Sequence, residues 1–121
     1  MKSKALKENK DFRRLYYRGK SEASSSLVTY VMKNRYGETR VGITTGKKIG
    51  GAVERNRARR VIRASFSDFE NKLSGQYDIV FVARTKTTQV KMQTVRAEME
   101  MQLKKLGVLK WKNISKSFWF F

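Results

Sequence analysis

RVGITTGKKIGGAVERNRARRVIRASF, residues 40–66, changes its hydrophobic period part-way along, and this change decides the fold. Val41 and Ile43 share one side of an alternating run, which predicts a strand over residues 39–45. Beyond a turn that contains glycines, apolar residues recur every three or four positions, which predicts a helix from Ala52 to Leu73. The sequence therefore predicts a strand that leads through a tight turn into an amphipathic helix.

The predicted helix separates apolar from basic side chains. Its apolar stripe consists of Ala58, Val61, Ile62, Phe66, Phe69 and Leu73. The opposite side presents Asn56, Arg57, Arg59, Arg60 and Arg63, while Arg55 falls on the apolar side and is expected to reach solvent from the first turn. A solvated helix face usually mixes charges, but Glu54 is the only acid between Lys47 and Arg63. Because arginine binds phosphate bidentately and stacks on bases, the pattern favours contact with RNA or DNA over a solvated face.

Composition indicates the same class of partner. The 121 residues contain 28 Lys and Arg against 10 Asp and Glu, a net charge of +18, and a polyanion would relieve this self-repulsion. We expect one RNA-binding domain over residues 1–109 and a tail of unknown role over residues 110–121. No run of about 18 apolar residues is present, so we expect no membrane span and a soluble, cytoplasmic protein.

The types of residue present also exclude several kinds of chemistry. The chain has no Cys and no His, so it offers no disulfide, no thiolate nucleophile, no imidazole base and no Cys/His metal site. Its acidic residues are scattered, without the grouping that a magnesium-dependent nuclease needs. Catalysis by this chain alone is therefore not expected.

The N-terminal half contains further periodic segments. Residues 9–18 predict a short helix, and residues 19–26 predict a flexible link. The runs 27–33 and 39–45 are separated by a turn signal, so they predict an antiparallel hairpin.

The C-terminal half adds a strand and a helix. Residues 77–83 form a continuous apolar run, which predicts a central strand. Thr88 is predicted to cap a last helix that ends at Gly107. The order of elements is thus αββαβα, or αβββαβα with another short strand.

The glycine-containing turn is a candidate phosphate site. Residues 46–51 resemble part of a nucleotide-binding loop, but Ala52 and Val53 follow where that signature requires Lys and Ser or Thr. What remains is a helix start beside Lys47 and Lys48, which suits a backbone phosphate. The alternative is a tight turn with solvated lysines, and the two interpretations are compatible.

Aromatic residues of the first helix form a second candidate site. Phe12, Leu15 and Tyr16 share one face, and Tyr30 lies in a strand that could neighbour them. The stripe could be core, or it could be a platform on which single-stranded RNA stacks, because Arg13, Arg14, Arg18 and Lys20 flank it. The residues alone do not decide between these alternatives.

Residues 40–66, with their GKKIG turn and an arginine-rich helix that contains Arg-Asn-Arg, closely resemble the signature of the protein subunit of bacterial ribonuclease P. NKDFRRLYYRG, residues 9–19, resembles the first helix of that family. The likeness extends from about residue 6 to residue 107.

The resemblance implies an α+β two-layer sandwich, like domain 2 of ribosomal protein S5. Its central sheet would be mostly antiparallel, with a left-handed βαβ crossover where general chirality favours a right-handed one. The resemblance also implies that the catalyst is a partner RNA. This RNA would hold the Mg²⁺ and remove the 5′ leader from precursor tRNA, with one copy of the protein per RNA.

The resemblance further implies a role for each candidate residue. The catalytic RNA would bind Lys47, Lys48, Arg55, Asn56, Arg57, Arg59, Arg60 and Arg63. The leader would bind Phe12, Leu15, Tyr16, Tyr30, Arg13 and Lys20. The competing hypothesis is a ribosome-associated or RNA-chaperone module without a role in processing.

Overall fold

The computed structural model of the protein describes residues 2–110. Strands and helices follow one another as β1 (Lys4–Ala5), α1 (Asn9–Arg18), β2 (Lys20–Ala23), β3 (Leu27–Lys33), β4 (Arg40–Thr44), α2 (Ala52–Ser67), β5 (Tyr77–Ala83) and α3 (Met92–Lys105). Single 3₁₀ turns lie at Lys47–Ile49, Glu70–Lys72 and Thr85–Thr87. Apart from the two-residue β1, this is the predicted order with the additional strand, αβββαβα. The predicted tail beyond Lys110 lies outside the described residues.

The five strands form one sheet in the order β1-β4-β5-β3-β2. β5 is the central strand, as predicted, because nearly every residue of its apolar run is buried. It pairs parallel with β4 and antiparallel with β3. The antiparallel pairings join more residues than the parallel ones, so the sheet is mostly antiparallel. β4, α2 and β5 form the expected βαβ crossover.

Two local predictions for the sheet were wrong. β3 and β4 do not form a hairpin, because β5 lies between them and is the strand that can be buried on both faces. The predicted link 19–26 contains the edge strand β2, whose Lys20–Ala23 segment pairs antiparallel with Val28–Val31. β2 could not be predicted from its sequence, because a largely exposed edge strand lacks the alternation of apolar and polar residues that indicates a strand.

Helices cover both faces of the sheet. On one face, Leu15 of α1 packs with Leu6 and Val80. On the other face, Ile79 and Phe81 pack against α2 and α3. The α+β architecture is therefore confirmed, and α1 adds a layer to the predicted two because the alternating residues of β5 are apolar on both sides.

The ends of α2 and α3 differ in part from the prediction. α2 ends at Ser67, whose hydroxyl donates to the Arg63 carbonyl, and a 3₁₀ turn over Glu70–Lys72 follows. α3 begins after Lys91, so Thr88 is not its cap. Its end at Gly107 is confirmed: φ is 81° there, and the Val108 N–H donates to the Leu103 carbonyl at 2.9 Å.

A buried carboxylate on β5 attaches α1 to the sheet. The Asp78 side chain is 2% exposed and accepts hydrogen bonds from Arg40 Nε at 2.9 Å and Nη2 at 2.7 Å, and from Asn34 Nδ2 at 2.9 Å. Arg14 of α1 donates to it at 3.2 Å and to Asp11 at 3.0 Å. Burial by itself raises the pKa of Asp78, but the bonds from Arg40 and Asn34 and the nearby positive charges hold that pKa below its ordinary value.

Asp78→Asn should lower the free energy of unfolding by about 2–3 kcal/mol at neutral pH, less than for a fully buried pair because both arginines are partly exposed. The folded-state pKa of Asp78 is depressed, so its contribution is fully present above about pH 4 and is lost as pH falls through that pKa. The free energies of unfolding of the wild type and of Asp78→Asn, measured in urea from pH 7 to pH 2.5, should therefore become equal in acid.

The matched control is Asp68→Asn, which breaks the exposed pair of Asp68 with Arg96 at 2.6 Å. This change should lower the free energy of unfolding by less than about 1 kcal/mol. Equal losses for the two variants, or a gap between wild type and Asp78→Asn that does not change with pH, would contradict the role given to Asp78.

Candidate nucleic-acid interface

The turn between β4 and α2 presents two lysines beside the start of a helix. Ile49 is buried and anchors the 3₁₀ turn, whereas Lys47 and Lys48 are exposed. Gly50 has φ 131°, a conformation that side chains rarely adopt, so a glycine is required where the chain turns into α2. Among the residues that the structure describes, no side chain caps the first turn of α2, and its N–H groups therefore add partial positive charge beside the lysines.

α2 has the two faces that its sequence predicts. Ala58, Ile62 and Phe66 are fully buried against the sheet and α3. The predicted contact residues on the other side are exposed, namely Asn56, Arg57, Arg59, Arg60 and Arg63. Arg55 is half-buried, in keeping with its position at the border of the two faces.

Acidic side chains of the described residues neutralise little of the charge on this face. Within residues 2–110, the one carboxylate paired with an arginine of α2 is Glu54, whose Oε2 lies 3.7 Å from Arg57 Nη1 at the surface. Exposed pairs of this kind contribute little to stability. The arginines of α2 are thus available to an external anion.

An open groove lies between α1 and the end of β4. It has a volume of about 570 Å³, and it is lined by Asn9, Phe12, Arg13, Tyr16, Ile43, Thr44, Thr45 and Arg59. Arg59 of α2 forms part of its wall, so the groove is continuous with the basic face of that helix. Two aromatic rings and two guanidinium groups therefore share one concave surface.

The aromatic side chains of the groove are held in place by specific contacts. Tyr16 is 41% exposed, and its hydroxyl is hydrogen-bonded to that of Thr44 at 3.1 Å. Its ring meets the Tyr30 ring edge-on, with 4.9 Å between centroids. Phe12 lies directly over Gly42, where an added Cβ would come within 2.6 Å of the Phe12 ring. The glycine that interrupts β4 is therefore what admits Phe12 to the groove.

The structure does not bring all six predicted leader residues together. Leu15 is 0% exposed and supports the groove from below, so it has no surface to offer a ligand. Lys20 lies on β2 and lines a different depression with Arg18 and Leu106. Tyr30 reaches the groove only through its contact with Tyr16.

Sequence reasoning missed Asn9, Ile43, Thr44 and Thr45 as wall residues, and it assigned Arg59 only to the α2 face. The signal for Thr44 and Thr45 was their position at the end of a strand that leads into a basic turn. Thr45 Oγ1 is buried and has no hydrogen-bond partner within residues 2–110.

The carboxylates of the chain do not fit a catalytic Mg²⁺ site. Mg²⁺ prefers several carboxylate or water oxygens in octahedral geometry. Within the described part of the chain, no three acidic side chains are grouped to hold a metal ion. Asp11 and Asp78 lie near each other, but their oxygens are taken up by Arg14 and Arg40.

The comparison with known families identifies the family to which the chain belongs. A family model described as Ribonuclease P matches residues 1–107. The chain belongs to the ribonuclease P protein family. A protein component of ribonuclease P takes part in tRNA processing and has an RNA partner in its ribonucleoprotein.

Relatives in sequence and in structure agree with this membership. The ribonuclease P protein component of Clostridium botulinum (strain 657 / Type Ba4) is 37% identical over 109 residues, which cover 89% of this chain and 98% of that protein. The ribonuclease P protein of Staphylococcus aureus has a similar structure with a TM-score of 0.78 at 32% identity, over 90% of this chain and 100% of that one. For the Thermotoga maritima protein the TM-score is 0.71 at 28% identity, over 86% and 96% of the two chains.

None of the helices within residues 2–110 combines the length and the apolar character needed to cross a membrane.

The orientation of α2 can be tested by a matched pair of substitutions. Arg60→Ala should leave the thermal unfolding midpoint unchanged within error, because Arg60 is exposed. Ile62→Ala, two residues further along, should lower the free energy of unfolding by about 2–5 kcal/mol, because Ile62 is fully buried. A comparable fall in the midpoint for both variants would mean that Arg60 contributes to the packing of the domain.

Proposed function

We propose that this protein is the subunit of ribonuclease P that binds the catalytic RNA through α2 and the preceding turn, and binds the 5′ leader of precursor tRNA in the groove of α1 and β4. One copy would assemble with each RNA. Because tRNA precursors are processed where they are made, the proposal includes a cytoplasmic location. The observation that supports this proposal most strongly is the groove, which Phe12, Tyr16, Arg13 and Arg59 line together.

The chemistry of the groove supports a single-stranded RNA as its ligand. Unpaired bases stack on aromatic rings, and each stacked base contributes about 1–3 kcal/mol without a strong sequence preference. Arg13 and Arg59 can meet the phosphates of the same strand. A base-paired segment would not expose the faces of its bases to Tyr16.

The exposed face of α2 supports a structured RNA as its ligand. Its arginines project from a rigid helix whose other side is fixed in the core, so their spacing is set before binding. Lys47 and Lys48 extend this surface past the helix start. Since Arg59 belongs to both surfaces, a leader in the groove would lie next to the bound catalytic RNA.

The proposal places the cleavage chemistry and its Mg²⁺ in the RNA partner. The chain has neither His nor Cys to act as base or nucleophile. Its carboxylates Asp11 and Asp78 are engaged by arginines and hold the fold together. The protein would increase substrate affinity and would not supply reacting groups.

Cleavage of precursor tRNA at low Mg²⁺ tests the function as a whole. The catalytic RNA is assayed with and without the protein, and the protein should restore cleavage where the RNA alone is slow. No gain at any Mg²⁺ concentration would favour an RNA-binding module without a role in processing.

Tyr16→Ala and Phe12→Ala should weaken the binding of precursor tRNA to the reconstituted complex and leave the affinity for mature tRNA nearly unchanged, because only the precursor has a leader. The loss should be roughly fivefold or more per lost stack. Equilibrium binding of both RNAs measures it, and Tyr16→Phe serves as the control that keeps the ring. Equal losses for precursor and mature tRNA would show that the stripe serves only the core.

Arg60→Ala should reduce assembly with the catalytic RNA. If Arg60 neutralises one phosphate, the slope of log K against log salt should become shallower by about 0.7–0.9. Titration of the catalytic RNA at several salt concentrations measures this slope. An unchanged slope and affinity would remove Arg60 from the interface.

A further inference from the structure

The outer face of α1 carries an aromatic side chain, Tyr17, that lies outside the groove and among several cations. Tyr17 is 90% exposed, the highest exposure among the large hydrophobic residues that the structure describes. It shares a shallow depression of about 480 Å³ with Lys10, Arg13, Arg14 and Arg18. Within the part of the chain that the structure describes, no acidic side chain lines this depression.

Only some cations of this face are paired with acidic side chains of the described residues. Arg14 is bound to Asp11 and Asp78, and Lys10 lies 3.1 Å from Glu8. Arg13 and Arg18 make no ion pair within residues 2–110. The face thus offers two available guanidinium groups, one on each side of Tyr17 along the helix.

The outer face is continuous with the leader groove. Arg13 lines both depressions. At about 100° per residue, Tyr17 lies one step around the helix from Tyr16 and on the same side as Arg13, four residues earlier. A strand that leaves the groove past Arg13 therefore reaches the ring of Tyr17 next.

The direction of such a strand follows from the position of α2. Arg59 forms the groove wall on the side of α2, and α1 forms the opposite wall. If the catalytic RNA occupies α2, the part of the leader next to the tRNA lies on that side. The part nearer the 5′ end then leaves across α1.

We propose that the outer face of α1 is a second leader subsite, in which Tyr17 stacks on a base that lies 5′ of those in the groove and Arg13 and Arg18 bind its phosphates. The inference rests on the proposed function and extends it. An exposed ring between guanidinium groups is the arrangement that single-stranded nucleic acids use, and the charge of the face opposes a basic or apolar partner.

The experiment uses the reconstituted complex and precursor tRNAs whose leaders lengthen one nucleotide at a time. For the wild type, affinity should rise while the groove fills and should rise again when the leader reaches Tyr17. Tyr17→Ala should abolish the second rise, a loss of roughly fivefold for long leaders, and should leave short leaders unaffected. Tyr17→Phe should retain most of the second rise because it keeps the ring.

Matched variants separate the subsite from general effects. Arg18→Ala should reduce the second rise, whereas Lys105→Ala, an equal loss of charge at the end of α3, should leave it intact. Tyr17→Ala should also unfold at the wild-type temperature, because its side chain is almost fully exposed.

Two outcomes would overturn the inference and leave the proposed function standing. One is a wild-type affinity that depends on Tyr16 but is the same for Tyr17→Ala at every leader length. The other is a Tyr17→Ala variant that binds the catalytic RNA itself more weakly, independent of the leader. A wild type without any dependence on the leader would instead contradict the proposed function.

Discussion

The interaction on which the rest of the structure depends is the hydrogen-bonded ion cluster around Asp78. This carboxylate lies on the central strand and joins Arg40 of β4, Arg14 of α1 and the turn after β3 through Asn34. Together with the packing of Leu15 on Leu6 and Val80, it holds α1 over the sheet, where α1 forms one wall of the groove. Two of the chain's ten acidic residues, Asp11 and Asp78, lie at this junction and pair there with Arg14 and Arg40.

A large excess of positive charge is compatible with this fold because charge and apolar surface are separated. Apart from Asp78, the central strand places apolar residues on both faces, so α1 can cover one side while α2 and α3 cover the other. Each helix then has an outer surface free for arginine and lysine. Arg59 belongs to α2 and lines the groove of α1, which joins surfaces that belong to different layers.

The sequence predicted the strongly periodic elements well, and its failures have physical causes. The bounds of α1 and β5 and the two faces of α2 were evident because their apolar residues follow one period. The pairing of β3 with β5 was not evident, since a turn signal reports chain reversal and not which strand lies beside which. β2 was missed because its Lys20–Ala23 segment is held by backbone bonds and largely lacks buried side chains.

For the site, residue types and helical spacing were enough to identify the basic face of α2 and the aromatic pair of α1. Distances across the sheet were not accessible. Leu15 shares the helical face of Phe12 and Tyr16, but it is fully buried against Leu6 and Val80, whereas Phe12 and Tyr16 line the groove. Lys20 is near Tyr16 in sequence, yet the chain turns away at Gly19 into the edge strand.

The two outer strands bear on behaviour at high concentration. β1 has two residues and β2 has four, and β2 carries the charged side chains of Lys20 and Glu22. Short, charged edge strands offer few backbone groups to which a second molecule could add a strand. Within residues 2–110 the sheet is thus poorly suited to template amyloid-like growth at high protein concentration.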